Sequence, residues 1–252
     1  MLLSVAFFAL GAVCASFAGV VVARLYTRQN MFSGRSRCDA CGKPLPVLSL
    51  VPIVSYVALG GRARCCRSRL SPVSPISELV LAGLFYASYL SLGLTPALPA
   101  FLSALFLLLV LVLYDLAHQI LPPTLLGLFV TTSAVVGYLE TSAISDFLSV
   151  FEGAFLIGTS LALIHVLSRG RAMGLADAPL AFGLALLVGP VAVSGFLFSF
   201  WIGALVGIVL LAGRPLGSRM GVEVPFAPFL AAGFLLAYFT QWNLLAFLVG
   251  SP

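Results

Sequence analysis

Apolar runs recur along the chain with few polar interruptions, over approximately residues 2–23, 74–92, 97–114, 121–139, 148–168, 178–193, 195–213 and 226–249. A helix needs roughly 17 to 25 apolar residues to cross a bilayer, so the pattern predicts about eight transmembrane helices. The expected architecture is an all-α polytopic membrane protein: a first helix over 1–25, one cysteine-bearing cytoplasmic loop over 26–73 and a seven-helix membrane core over 74–252. The stretch from Ala178 to Gly213 is too long for one crossing and contains Gly189-Pro190 and Gly195, which predicts a tight helical hairpin. The first run opens MLLSVAFFAL without a basic flank and is expected to stay as a helix rather than to be cleaved as a signal. Within it Gly11, Ala15 and Gly19 recur every four residues, as do Gly203 and Gly207 later, a spacing suited to close helix packing in lipid.

Composition agrees with lipid as the solvent. Charged residues are 8% of the 252, hydrophobic residues 61%, and the mean hydropathy is +1.15, whereas soluble domains carry about 25% charge. The net charge of +5 calls for no nucleic-acid partner. Basic residues held on the cytoplasmic side, near anionic lipid, account for it.

The thirteen basic residues give an internal check on topology. Arg24, Arg28, Arg35, Arg37, Lys43, Arg62, Arg64, Arg67 and Arg69 lie at or after the end of the first run, in the one long loop. If that loop is cytoplasmic, the amino terminus is outside. Counting crossings onward puts Arg169, Arg171, Arg214 and Arg219 on the cytoplasmic side as well, and leaves no basic residue outside.

The same counting brings Asp115, at the end of the third run, and Asp177, at the start of the sixth, to the cytoplasmic face. Carboxylates near a bilayer are costly and usually serve a function. Two that sit close together cannot both ionise easily, so one holds a proton while the other acts as a base towards water, which is the chemistry of an aspartic protease. Capping is the competing account for Asp177, because a carboxylate suits a helix N-terminus. It explains Asp115 less well, since the macrodipole disfavours an anion at a helix C-terminus. Glu78, near the cytoplasmic end of the second run, is a supporting candidate that either orients the pair or meets a loop Arg, with a structural role favoured. His118 and His165 are too isolated to suggest a metal site, though His118 follows Asp115 by three residues and can touch it across one helical turn.

The loop holds Cys38, Cys41, Cys65 and Cys66, whereas Cys14 lies within the first run as a packed thiol. CDAC followed by Gly-Lys has the form of a zinc knuckle, and a cytoplasmic location favours Zn²⁺ over disulfides. RARCCRS offers adjacent cysteines in place of a second CxxC. A four-thiolate centre, a three-thiolate centre completed otherwise and a metal-free relic all remain open.

These segments together resemble the prepilin-type leader peptidases, membrane aspartic proteases of type IV pilus and type II secretion systems. ASFAGVVVARL (Ala15 to Leu25) is similar to that family's GSFLNVVIYRL, and LSPVSPISELVLAGLF (Leu70 to Phe85) to its ISPRYPLVELLTALLF, with Glu78 at the family's Glu position. YDLAHQILPP resembles the surroundings of its first catalytic Asp, IDLDxxLLPD, and MGLADAPL those of its second, MGGGDVKL. The resemblance implies Asp115 and Asp177 as catalytic residues, with Glu78, Gly174 and His118 supporting. It implies prepilin or pseudopilin substrates cut at the cytoplasmic face of the bacterial inner membrane. It also implies N-methylation of the new amino terminus, with S-adenosylmethionine as donor. Four positions depart: Ala176 for a Gly, Pro179 for the usual Lys, Pro123 for an Asp and Ala63 for the third loop Cys. Gly19 stands where the family often has Asn. These changes bear on methylation and zinc more than on proteolysis, and no Gly-rich nucleotide loop argues separately for methyl transfer. A transporter or channel using the carboxylates as an ion relay, and a catalytically inactive homologue acting in assembly, are the alternatives.

Overall fold

The computed structural model describes residues 2–27, 38, 40–44, 46, 51–212 and 224–244. Arg28, Arg35, Arg37, Arg214 and Arg219, together with residues 245–249 of the last expected span, lie outside them. The described chain is helical and forms no strand: α1 (Leu2–Arg24), a short α2 (Val54–Ala58), α3 (Val73–Leu92), α4 (Ala97–His118), α5 (Pro123–Glu140), α6 (Ile144–Leu167), α7 (Asp177–Val188), α8 (Ala192–Ala212) and α9 (Ala227–Thr240). Hydrocarbon offers backbone groups no water, and a helix satisfies them within one segment. The all-α polytopic architecture expected from hydropathy is what the chain adopts. Six helical stretches are long and apolar enough to cross a membrane when Asp177–Leu210 is taken as one, and α9 is shorter over its described residues. The count of eight arises when α7, α8 and α9 are each taken as a crossing.

Two compact units divide the chain, Met1–Leu98 and Pro99–Pro252. In the first, α1 packs on α3, with Phe7 stacked on Tyr89 at a centroid distance of 4.8 Å. Gly11 sits at the tightest point, where an added Cβ would come 2.7 Å from the Ala82 Cα and the Leu81 carbonyl. Gly19 falls off this seam and has open space around it. The cause is helical geometry: a step of four residues overshoots one turn by about 40°, so the contact line passes through Gly11, Ala15 and Ala18 and leaves Gly19 rotated outward. Gly207 is likewise free of neighbours, while Gly203 packs under the rings of Phe226 and Phe229. Gly11→Ala is therefore expected to lower the melting temperature in detergent by several degrees, because overpacking costs about 1–3 kcal/mol. Gly19→Ala should leave it unchanged.

In the second unit α7 is the central element, packed by α5, α6 and α9, and ten of its twelve residues are buried. Small residues permit this close approach: Gly183 lies against Phe129, Gly158 against Phe182 and Gly137 against the Leu186 carbonyl. At 1.5 Å per residue α7 is about 18 Å long, shorter than the ~30 Å hydrocarbon core. It ends at Gly189, whose φ of +64° and a 3-10 turn over Gly189–Val191 separate it from α8. The break therefore falls where the Gly-Pro pair lies. α8 and α9 pack antiparallel, with Gly195 against Phe234, and Gly233 against Ser199 so closely that only glycine fits. α8 leaves Trp201, Leu205 and Ile208 exposed, which suits a lipid-facing surface.

Candidate active site and metal centre

At one end of the second unit, four helix termini meet around two carboxylates. Asp115 lies in the last turn of α4 and Asp177 is the first residue of α7, and both are buried. They are close enough for the charge of Asp115 to act on Asp177. The backbone N–H of Ala227, the first residue of α9, donates to the Asp115 carboxylate. That contact supplies what α4 lacks. An anion at the C-terminal end of its own helix is offset by the positive N-terminal end of another.

Asp115 is only 7% exposed, yet its Oδ2 has no hydrogen-bond partner among the described residues. A buried carboxylate oxygen left unpartnered is uncommon. Asp177 Oδ2 accepts the N–H of Gly174 at 3.2 Å, and the N–H of Asp177 donates back to the Gly174 carbonyl at 3.3 Å. The bond runs outward, into the connection from α6, and has the form of the back-bond of a capping box, in which an acidic side chain in the first turn accepts an N–H from the turn before the helix.

The other candidates are placed as follows. Gly174 contacts Asp177 directly. His118 is exposed and lies against Tyr114 of its own helix, with ring centroids 4.4 Å apart and planes tilted by 41°. In the first unit Glu78 is buried, and it accepts the Ile53 N–H at 2.7 Å and the Ser74 hydroxyl at 3.3 Å. Those bonds fasten the start of α2, where Ile53 has φ +60°, to α3. This is a structural task. The chain reading missed two contributors to the carboxylate site. The Ala227 N–H carries no side-chain signal, and His165, within electrostatic range of Asp177, is isolated in sequence. The two proline departures sit in first turns, Pro123 opening α5 and Pro179 in the first turn of α7, where an N–H would lack a helical partner in any case.

The four loop cysteines converge within the first unit. All their sulfurs lie within 4.8 Å of one another, with Cys41–Cys65 at 3.3 Å and Cys38–Cys66 at 3.7 Å. Tetrahedral zinc with bonds of about 2.3 Å places its sulfurs roughly 3.8 Å apart, so the donor set fits that ion. N–H groups of Cys41 and Ala40 point at the Cys38 sulfur and hold its thiol down, to about 6. Cys65 is pushed up to about 12, first by Cys41. Sulfurs this close cannot all ionise without a cation to neutralise them.

Two similar turns build the cluster. Cys38 N–H donates to the Lys43 carbonyl and Gly42 N–H to the Cys38 carbonyl; Ala63 N–H donates to the Ser68 carbonyl and Arg67 N–H to the Ala63 carbonyl. Gly42 and Arg67 both take positive φ, +69° and +55°. In this correspondence Ala63 matches Cys38 and Cys66 matches Cys41. Cys65 occupies the place of Ala40 and brings in the fourth sulfur.

Residues 9–92 match the family described as the Bacterial Peptidase A24 N-terminal domain. The chain is 28% identical over 243 residues to the prepilin leader peptidase/N-methyltransferase of Bacillus subtilis, covering 96% of each chain. To proteins of the same name it is 30% identical in Legionella pneumophila (88% of this chain, 77% of that one) and 30% in Pseudomonas putida (79% and 70%). No solved structure matches it. Alignment at this identity over most of both chains, on a polytopic helical fold, means that the chain belongs to the prepilin leader peptidase/N-methyltransferase family.

Proposed function

We propose that this protein is an aspartic endopeptidase of the bacterial inner membrane that removes the leader from type IV prepilins or pseudopilins at the cytoplasmic face, with Asp115 and Asp177 as its catalytic pair. The observation that carries the reading is that these two buried carboxylates, on separate helices, lie within electrostatic range of each other, and that Asp115 Oδ2 has no hydrogen-bond partner among the described residues. In the reaction one ionised carboxylate takes a proton from water, and the water oxygen bonds to the scissile carbonyl carbon. Its protonated partner delivers a proton to the carbonyl oxygen. Collapse of the tetrahedral species breaks the C–N bond, the departing amine takes up the proton collected by the base, and one hydroxyl of the diol returns its proton to the partner carboxylate. The cytoplasmic location rests on the distribution of Lys and Arg.

Zinc would be held by Cys38, Cys41, Cys65 and Cys66 and would tie the two turns together, with no part in the hydrolysis. S-adenosylmethionine would supply the methyl group for N-methylation. The sequence offers no Gly-rich loop to hold that cofactor.

The test is incubation of the purified protein in lipid with a prepilin bearing an intact leader, with and without S-adenosylmethionine, read by mass spectrometry. A mature product is expected in both samples. Substrate that stays intact in both would refute the peptidase and favour an inactive homologue or a transporter.

A further inference from the structure

We infer that His165 is a positioning residue for Asp177, acting through the peptide that joins Met173 to Gly174; the inference rests on the proposed role of Asp177. His165 lies in the last turn of α6, and its Nδ1 is 2.8 Å from the Met173 carbonyl oxygen. A carbonyl only accepts, so Nδ1 carries the proton and donates. The Met173 C=O and the Gly174 N–H belong to one planar trans unit and point in opposite directions. Fixing one fixes the other. That N–H is the donor to Asp177 Oδ2 at 3.2 Å. The imidazole therefore sets the direction of the hydrogen bond that orients the carboxylate.

The connection from α6 to α7 is folded around this ring. Gly170, at φ +74°, passes so near that an added Cβ would lie 3.3 Å from the His165 Cε1, and its N–H donates to the His165 carbonyl at 2.8 Å. The Ser168 hydroxyl donates to the same carbonyl at 3.2 Å and accepts the Ala172 N–H at 3.3 Å. These contacts hold the backbone on either side of the histidine. The His165 bond to Met173 carries that order onward to Gly174 and Asp177.

The test is steady-state cleavage of a prepilin by purified variants, with the amount of folded protein measured alongside. In His165→Asn the side-chain N–H replaces that of Nδ1, and kcat should stay within about threefold of wild type. His165→Gln and His165→Leu cannot place a donor there. They should lose kcat on the order of 10- to 100-fold, the range a small misplacement of a reacting group costs, with KM within about twofold. Gln keeps polarity and bulk, so the comparison of Asn with Gln stands even if Leu fails to fold. Wild-type kcat in Gln, or a loss in Asn as large as in Gln, would overturn the inference. Asp177→Asn, run in parallel, tests the underlying reading separately: if it cleaves normally, the aspartate assignment fails whatever the His165 variants do.

Discussion

Asp115→Asn and Asp177→Asn each lower the cleavage rate of a prepilin by about three orders of magnitude or more, with wild-type amounts of protein in the membrane. The size follows from the roles assigned. General acid–base catalysis by one group contributes about 10²–10⁴-fold, and losing either member of this pair removes the proton that the two share. An amide can neither take a proton from water nor deliver one to the carbonyl oxygen. Asn is nearly isosteric with Asp and can still accept the N–H of Ala227 or Gly174, so folding should survive. Groups that act as a unit are non-additive, and Asp115→Asn/Asp177→Asn should be no slower than either single variant. Normal processing by either single variant would refute the pairing.

The second large effect concerns the cysteine cluster. Structural zinc sites contribute on the order of 10–16 kcal/mol to folding of the segment that holds them. Cys38→Ser or Cys66→Ser should abolish zinc in the purified protein, measured by elemental analysis, and should open residues 38–70 to proteolysis. The correspondence of the two turns sharpens the expectation. Cys65→Ser should also weaken the metal, whereas Ala63→Cys combined with Cys65→Ala should restore it by placing the sulfur where the first turn carries Cys38. Wild-type protein without near-stoichiometric zinc would defeat the proposal.

Much of this architecture is legible in the chain because lipid permits few alternatives. Apolar runs become helices, and the break inside the long run from Ala178 to Gly213 falls at the Gly-Pro pair. Glycine seams were only half legible: Gly11 meets α3 and Gly19 does not, since a four-residue spacing drifts around a helix and composition cannot say where the seam leaves it. The carboxylates were visible as charges in a chain that has few. What holds them was not. The Ala227 N–H and the Gly174 N–H are backbone groups, present at nearly every residue, and only the arrangement of α9 and of the α6–α7 connection selects them. His165 carries no sequence signal for a related reason: its partner is the Met173 carbonyl rather than another side chain. The adjacent Cys65 and Cys66 looked like a defect in a CxxC pair. The fold shows that one substitutes in space for the position held by Ala63.

The claim that two carboxylates share one catalytic proton is tested most directly by the pH dependence of kcat/KM for cleavage by the wild-type protein. One group must be ionised and the other protonated, so the profile should be a bell whose two limbs report the pair as a unit. A profile with a single limb, in which activity persists at high pH with both groups ionised, would contradict the account.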